Sequence, residues 1–256
     1  MYQRPRVMPV LLMGAAGLVK TQRFEKPKYL GDPINTVRIF NDKEVDELVL
    51  LDIQSTTRGR PIQFDVIQEI VSEAFVPVTY GGGVRSVSDV ARLLALGVEK
   101  ISLNTAATDD PKLLGDIADR FGSSTLVVSI DAVKRRRRYE VVTSNGTRGT
   151  GLDPATFASE VQRLGAGEIL INSVDRDGTM EGYDIELLAH VSSAVTVPIV
   201  ACGGARSVDD FRLAVSKGGV SACAAGAMFV FQGRHRAVLI SFPSQEELDR
   251  AFGVPA

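Results

Sequence analysis

The chain has 256 residues, of which 45% are hydrophobic and 23% charged, and its formal net charge is −2. This balance is typical of a globular protein and excludes a general electrostatic attraction to nucleic acid or to an anionic membrane surface. No apolar stretch reaches the roughly 18 to 20 residues that a membrane-spanning helix needs, and the N-terminal segment lacks a signal-peptide cleavage pattern. We therefore expect a cytoplasmic protein that binds neither nucleic acid nor membrane.

Eight short runs of β-forming residues follow one another along the chain, and helical patterns separate most of them. Helical segments such as 64–74, 86–97 and 153–167 open near Asp or Ser, and several close on Gly, as helices commonly do. Alternation of strands and helices indicates a parallel sheet. The predicted strands are RVMPVLLM (6–13), ELVLLDI (47–53), VPVTYGGG (76–83), KISLNTA (100–106), TLVVSIDA (125–132), EILINSV (168–174), PIVACGG (198–204) and SACAAG (221–226).

The two halves of the chain resemble each other at a constant spacing. The hexapeptide GGVRSV at 82–87 matches GGARSV at 203–208. Two similar halves of four strands each close naturally into an eight-stranded barrel, whereas an open doubly wound sheet does not require them. We predict an α/β fold, a TIM barrel that forms a single domain over residues 1–256, with half-barrels of about 1–122 and 123–256.

The first and fifth predicted strands occupy equivalent places in the two halves but end in different residues. The fifth carries Asp131 near its end, and the first carries Leu12 at the matching place if a slip of two residues is allowed. Both positions belong at the C-terminal ends of their strands, where barrels of this kind have their active sites. The sequence therefore predicts one carboxylate across this opening instead of two.

Paired glycines end the third and seventh strands, and small residues end the fourth and eighth. A lone glycine pair more often serves only to turn the chain, but two pairs at equivalent positions favour loops whose backbone N–H groups approach an anion. We therefore predict two phosphate sites that hold the ends of one long phosphorylated ligand. Their candidate residues are Gly82, Gly83, Asn104, Thr105, Gly203, Gly204, Ala225 and Gly226.

The residues that most often bind metals are few and scattered. Cys202 and Cys223 fall in strand-like runs, His190 falls in a probable helix and His235 in a basic turn. They lack the spacing of a zinc site, so buried reduced thiols and surface histidines are the better interpretation. We predict no metal site and no cofactor.

These motifs together resemble the cyclase subunit of imidazole glycerol phosphate synthase, the HisF type. The resemblance extends from about residue 6 to residue 228 and rests on GDP (31–33), DELVLLDI, YGGGVRS, KISLNTAA, FGSSTLVVSIDA, GAGEILINSVDRDGT and ACGGA. It implies that a separate glutaminase releases ammonia at the bottom of the barrel and that two aspartates carry acid–base chemistry at the top. Asp131 matches the second aspartate, and Leu12 stands in place of the first.

The resemblance also implies a gate of four charges at the N-terminal end of the barrel. The residues themselves agree, because all four begin predicted strands and their charges sum to zero. From the residues alone, a purely stabilising cluster of ion pairs is an equal alternative, since this end of the fold often serves stability. The resemblance favours an ammonia gate made of Arg6, Glu47, Lys100 and Glu168.

Alternation along the strands assigns polar residues to the upper rim. Asn172 is in phase with Glu168, so both side chains can point into the barrel, whereas Asp52 is out of phase with Glu47 and more plausibly supports the rim. An Asp-rich turn before glycine is also common loop chemistry. The resemblance nevertheless implies further rim residues, namely Lys20, Asp175 and Asp177.

Several segments depart from the common pattern. The basic run KRRRR (134–138) is predicted to be solvated, although at the rim it could meet an acidic ligand or partner. Residues 11–20, 23–33 and 229–252 resemble a paralogous branch that is associated with amidotransferases for bacterial surface sugars.

Three functions remain open. The first is a conduit that passes ammonia from a glutaminase to a sugar amidotransferase, and the second is the histidine-pathway cyclase, with Asp52 or Asp177 in place of the missing acid. The third is an isomerase on a related aminoribosyl nucleotide, which would not need the gate. We favour the first, because it requires the gate and tolerates Leu12.

Overall fold

Nearly continuous apolar runs allow the strands to bury both faces of the sheet, and the computed structural model, which describes residues 4–253, does so by closing the sheet on itself. The strands of these residues are β1 (Arg6–Gly14), β2 (Gly17–Gln22), β3 (Glu25–Gly31), β4 (Leu48–Asp52), β5 (Val78–Gly81), β6 (Lys100–Leu103), β7 (Leu126–Arg135), β8 (Arg138–Thr143), β9 (Arg148–Gly149), β10 (Glu168–Ser173), β11 (Ile199–Cys202), β12 (Ala222–Ala225), β13 (Phe231–Gln232) and β14 (Ala237–Val238).

Helices follow most of the barrel strands. Two begin at residues that the sequence indicated, Ser86 and Asp153, and a third begins at Asp32; each of these side chains accepts a hydrogen bond from a backbone N–H of the first turn. The helices are α1 (Pro33–Asp42), α2 (Ser55–Arg58), α3 (Phe64–Glu73), α4 (Val87–Ala95), α5 (Thr105–Asp109), α6 (Lys112–Phe121), α7 (Pro154–Arg163), α8 (Ile185–Ser192), α9 (Val208–Gly218), α10 (Ala227–Val230) and α11 (Gln245–Phe252), with a 3₁₀ turn at Ser123–Thr125.

The barrel consists of eight parallel strands in the order β1, β4, β5, β6, β7, β10, β11 and β12. The last strand pairs with the first, with Arg6 beside Ala222, and this pairing closes the sheet. These strands are the eight predicted runs, so the predicted α/β barrel is confirmed. The division into half-barrels near residue 122 and the assignment of residues 1–256 to one domain remain predictions.

Two antiparallel hairpins rise from the C-terminal end of the barrel, which is called the upper mouth below. The strands β2 and β3 extend β1, and β8 and β9 extend β7. The turn of the second hairpin falls within the basic run 134–138. The first was not predicted, because the sequence of β2 and β3 lacks a clear alternation.

Alternate residues of each strand enter two separate apolar layers. On β1, Val7, Leu11 and Met13 pack outward against the helices, whereas Met8 and Leu12 face the interior of the barrel. Since side chains of a strand alternate between its faces, the same rule decides which residues line the bore. Among residues 4–253, no helix is both long enough and apolar enough to cross a membrane.

Candidate functional site

The upper mouth holds a cavity that is open to solvent. Leu12 and Asp131 both line it, so the two strand ends compared in the sequence do meet there. The cavity also brings together all the other residues predicted for this end, apart from Asp175: Lys20, Asp52, Gly82, Gly83, Asn104, Thr105, Asn172, Asp177, Gly203, Gly204, Ala225 and Gly226.

Lys20 and Asp177 form a buried ion pair in the wall of this cavity. The Nζ of Lys20, on β2, donates a hydrogen bond of 2.9 Å to Asp177, which follows β10, and Thr21 donates a second one of 3.2 Å to the same carboxylate. Only 4% and 9% of the two charged side chains are exposed. Removing one member of such a pair would leave an uncompensated buried charge, so each ion fixes the other.

The same contact anchors the first hairpin over the mouth. The backbone N–H of Arg23 donates to the carbonyl of Asp177 at 2.8 Å, and its guanidinium donates to the carbonyl of Asp175. At the hairpin tip, Phe24 packs against an apolar cluster that belongs to the opposite side of the mouth, formed by Val133, Val142 and Val174. The hairpin therefore crosses part of the opening.

Asp131 is buried, and within residues 4–253 no cation pairs with its carboxylate. Burial raises the pKa of its carboxyl to about 7, and the negative charge of Asp177 adds to the increase, while an N–H of Asn172 at 3.3 Å opposes it. A carboxyl with this pKa can give or take a proton near neutral pH. Asp131 is thus equipped for acid–base chemistry on the upper mouth.

Asn172 has one atom without a partner. Its amide nitrogen donates to Asp131, but its Oδ1 is buried and lacks a hydrogen-bond donor within the described residues. A buried acceptor without a donor is uncommon in folded proteins, because its loss of hydration is not compensated. Asn172 lines the cavity, while this oxygen is itself buried beside the backbone of Gly203.

The carboxylate of Asp52 serves the loop that follows β4. It accepts hydrogen bonds from the backbone N–H groups of Gln54 and Ser55 at 2.8 and 2.9 Å, and from the hydroxyl of Ser55. This arrangement matches the expected position of Asp52 out of phase with the interior residues. Its lone pairs are largely used within the protein.

The predicted phosphate loops require glycine for two physical reasons. Gly82 and Gly204 both have φ of +112°, a conformation that other residues rarely adopt. A Cβ on Gly82 would lie 2.3 Å from the carbonyl oxygen of Asp52, and one on Gly203 would lie 2.6 Å from Oδ1 of Asn172. The backbone at both strand ends is therefore bare and in close contact with its neighbours.

Asn104 and Thr105 are less available than the glycines. The amide nitrogen of Asn104 donates to the carbonyl of Ser129 at 3.0 Å, and the hydroxyl of Thr105 both donates to Asn104 and accepts from the N–H of Ser144. These contacts connect the end of β6 to the β7–β8 hairpin. The two side chains shape this loop, and its backbone remains the surface that a ligand can meet.

At the opposite end of the barrel, four charged residues form a closed ring. Arg6 contacts both Glu47 and Glu168, and Lys100 lies 3.2 Å from Glu47 and 3.0 Å from Glu168. Both carboxylates are buried. Burial alone would lower the pKa of Arg6, but the charges and hydrogen bonds of Glu168 and Glu47 raise it overall. The predicted gate residues thus meet in one neutral cluster, called the charged ring below.

Between the charged ring and the upper mouth, the barrel interior, called the bore below, is mainly apolar. Its lining includes three hydroxyl residues that the sequence interpretation had not singled out, Thr79, Ser102 and Ser129. The remaining lining side chains are apolar and come mostly from the inner faces of the strands, namely Met8, Val10, Val49, Val127, Leu170, Val200, Ala222 and Ala224.

The cysteines and histidines occupy the environments expected of them. Both thiols are free and buried, and burial raises the pKa of Cys202 to about 12, so this thiol stays protonated at the cavity wall. His190 on α8 is exposed and contacts Asp153, and His235 is exposed in the loop between β13 and β14. The described residues contain no cluster of three or more His, Cys, Asp or Glu that could hold a metal ion.

The basic run forms the turn between β7 and β8. Lys134 pairs with Glu186 and Arg135 with Glu140, and the side chains of the run are exposed. The backbone N–H of Lys134 donates to Asp175, so this rim acid supports the turn instead of lining the cavity. The expected solvated turn agrees with this placement.

Known proteins resemble the chain over almost its full length. It matches the family described as histidine biosynthesis protein over residues 6–235. A Pseudomonas aeruginosa protein, provisionally named imidazole glycerol phosphate synthase subunit hisF2, is 47% identical over 247 residues, which cover 96% of this chain and 98% of that protein. A Leptospira interrogans protein, provisionally named subunit HisF of that synthase, is 43% identical and covers 97% of this chain and 99% of its own. The Kineococcus radiotolerans imidazole glycerol phosphate synthase subunit HisF is also 43% identical, over 88% of this chain and 90% of its own.

Proposed function

The chain belongs to the histidine biosynthesis protein family, and from this premise we propose that it is the barrel subunit of a glutamine-dependent synthase. Its N-terminal face receives ammonia from a glutaminase, and its bore conducts the ammonia to the upper mouth. The observation that carries this proposal is the charged ring at the entrance of an apolar bore. The names of the relatives, which describe subunits of a synthase, support an assembly of several proteins.

The bore suits ammonia better than ammonium. An uncharged molecule enters an apolar passage at modest cost, whereas an ion must lose its hydration without a compensating partner. At the entrance the environment is instead charged, but the ring is internally paired, because each of its cations contacts both of its anions. Its neutral net charge leaves no excess charge to hold an ammonium ion at the opening.

Lys100 is the member of the ring that can move to open it. Its contacts with the carboxylates lie at 3.0 and 3.2 Å, and its ammonium group ends a flexible stem. Arg6 holds the two carboxylates through separate nitrogens of one planar group, so it keeps Glu47 and Glu168 in place when Lys100 withdraws. The ring then remains assembled while a path opens beside it.

The upper mouth is proposed to bind a ligand with two phosphate groups. The bare glycine loops at the ends of β5 and β11 offer backbone N–H groups, and Lys20 provides a cation in the cavity wall. Asn172 and Asp131 add polar side chains to the same cavity lining. Sulfate or phosphate should therefore appear at both loops in a crystal grown from either salt, and a loop that is filled by side chains would contradict this.

The chemistry at this mouth differs from that of a cyclase with two catalytic acids. Leu12 cannot transfer a proton, and the two suggested substitutes are occupied: Lys20 and Thr21 hold Asp177, and backbone N–H groups hold Asp52. Loss of a positioned acid or base typically slows a reaction by about 10²- to 10⁴-fold. We therefore propose that the ammonia leaves the mouth for a separate acceptor, a sugar amidotransferase.

The histidine-pathway cyclase is the second candidate function. It is favoured by Asp131, whose pKa of about 7 is suited to general acid–base catalysis, and by the similarity to the Kineococcus radiotolerans subunit. An isomerase would use the same glycine loops but has no need for the charged ring, so we do not propose it.

The test is to mix the purified chain with each glutaminase encoded in the same genome and to measure co-elution and glutamine hydrolysis. We expect a stable complex in which hydrolysis is faster than with the glutaminase alone. A conservative change on the opposite face, Tyr29→Phe, is the matched control and should leave both results unchanged. Failure of every glutaminase to bind or respond would refute the proposed function.

A further inference from the structure

Phe75 is a large aromatic residue that the fold leaves in water. Its side chain is 85% exposed, the largest exposed fraction among the large hydrophobic residues of the described chain. It lies between α3 and β5, at the N-terminal end of the barrel. Phenylalanine is usually buried, so an exposed one that no neighbour covers suggests a surface that another molecule covers.

Phe75 is close to the charged ring along the backbone. Pro77, two residues later, accepts a hydrogen bond of 2.9 Å from the N–H of Leu48, and Leu48 directly follows Glu47 of the ring. The aromatic ring and the entrance to the bore therefore belong to the same face. A partner that seals the entrance must extend over the loop that carries Phe75.

Hydrogen bonds to the neighbouring helix hold the backbone of Phe75 in place. The Oδ1 of Asn41 accepts the N–H of Phe75 at 3.2 Å, while its amide nitrogen donates to the carbonyl of Glu73 at 2.6 Å. The carboxylate of Glu73 in turn receives two hydrogen bonds from Arg38 on the neighbouring α1. The backbone at Phe75 is thus ordered before a partner arrives, so binding costs little backbone freedom.

We propose that Phe75 is the aromatic anchor by which the chain binds its glutaminase, and that it enters an apolar pocket on the glutaminase surface. This proposal rests on the proposed function and adds the residue that carries the interface. Ammonia must pass from one protein to the other without escaping to water, so the contact beside the entrance has to be dry. Aromatic residues that fill a desolvated pocket carry most of the affinity of such interfaces. The other two most exposed hydrophobic residues, Tyr29 on β3 and Leu239 after β14, lie on elements of the opposite half of the molecule.

The experiment measures the dissociation constant of the complex with the glutaminase that stimulates best in the mixing test. For Phe75→Ala we expect the affinity to fall by about tenfold or more, because truncation of such an anchor weakens binding by at least that amount. The maximal stimulation at saturating barrel concentration should stay as it was, because the charged ring is intact. Phe75→Tyr should keep most of the affinity, and Tyr29→Ala, the matched exposed aromatic, should leave it unchanged.

The possible results separate the two proposals. If the unaltered chain binds a glutaminase and Phe75→Ala binds equally well, the anchor is refuted and the proposed function stands. If the unaltered chain binds no glutaminase, both are refuted. Thermal unfolding checks that the variant is folded, and we expect no loss of stability, since the side chain makes little contact with its own protein. Sedimentation of the free chain adds a third readout: a dimer that Phe75→Ala dissolves would show that a second copy covers this surface and would overturn the proposal.

Discussion

The two ends of the barrel both bury charged groups, but the fraction of these groups that has a partner differs between the ends. In the charged ring, each cation contacts both carboxylates and the net charge is zero. At the upper mouth, Lys20 and Asp177 are paired, but Asp131 has no cation and Oδ1 of Asn172 has no donor in the described residues.

This difference indicates that the charged ring is complete without a ligand, whereas the upper mouth is not. A buried cluster in which every charge has a partner is stable without a ligand, and it changes only when one member moves. A cavity with an unpaired carboxyl and an unpartnered oxygen gains more from a ligand that supplies the missing donors.

The largest effect should come from the acid that the upper mouth lacks. The chain should be supplied with ammonium salts and the aminoribosyl substrate of the HisF-type cyclases. Its initial rate of cyclisation should be about 10²- to 10⁴-fold lower than that of a cyclase with both aspartates, measured in parallel. Leu12→Asp should recover part of the rate. Rapid turnover by the unaltered chain would mean that another carboxylate has replaced the missing acid, and would favour the histidine-pathway cyclase.

Breaking the charged ring tests whether its neutrality stabilises the fold. Glu168→Gln leaves Arg6 and Lys100 with only one carboxylate, and loss of one partner from a buried pair costs about 3–5 kcal/mol. Denaturant unfolding should show a loss in the lower part of this range, because Arg6 is partly exposed. As a control, Lys112→Met removes the exposed pair with Asp116 and should cause little change. Equal stability of the two variants would contradict a ring that depends on complete pairing.

The unpaired state of Asp131 should appear in the pH dependence of stability. The unfolded carboxyl ionises near pH 4, while burial keeps the folded one protonated up to about pH 7. The wild type should therefore lose stability relative to Asp131→Asn as the pH rises from about 4 to about 7, by roughly 3 to 4 kcal/mol in total. Unfolding curves at several pH values measure this difference. A constant difference across that range would mean that the carboxyl is ionised in the folded protein.

A smaller effect is expected at the glycine loops of the upper mouth. Gly82→Ala places a Cβ 2.3 Å from a carbonyl oxygen at a positive φ, so it should cost about 1–3 kcal/mol and weaken sulfate binding at that loop. The control is Gly115→Ala within α6, where a Cβ meets open space and helix propensity predicts a gain of up to about 1 kcal/mol. Sulfate affinity that is unchanged in the Gly82 variant would remove this loop from the phosphate site.

Features that arise from local sequence pattern were predictable, and features that depend on distant contacts were not. Runs of β-forming residues predicted the eight strands. Strand phase predicted that Asn172 points into the barrel and that Asp52 supports the rim, and the carboxylate of Asp52 bonds to the loop that follows its strand. In contrast, the pairing of Lys20 with Asp177 joins residues 157 positions apart across a hairpin that the sequence did not reveal. The contact of Phe24 with the β7–β8 hairpin has the same origin, since only the folded barrel brings these strands together.

The measurement that tests the central claim most directly is hydrogen exchange of the chain alone and in complex with its glutaminase. We expect new protection at the N-terminal face, in the backbone around residues 41–48, 73–78 and 99–100, and little change in the hairpins over the upper mouth. Protection confined to residues 17–31 and 134–149, with the N-terminal face unchanged, would contradict it, because the glutaminase would then bind at the wrong end of the bore.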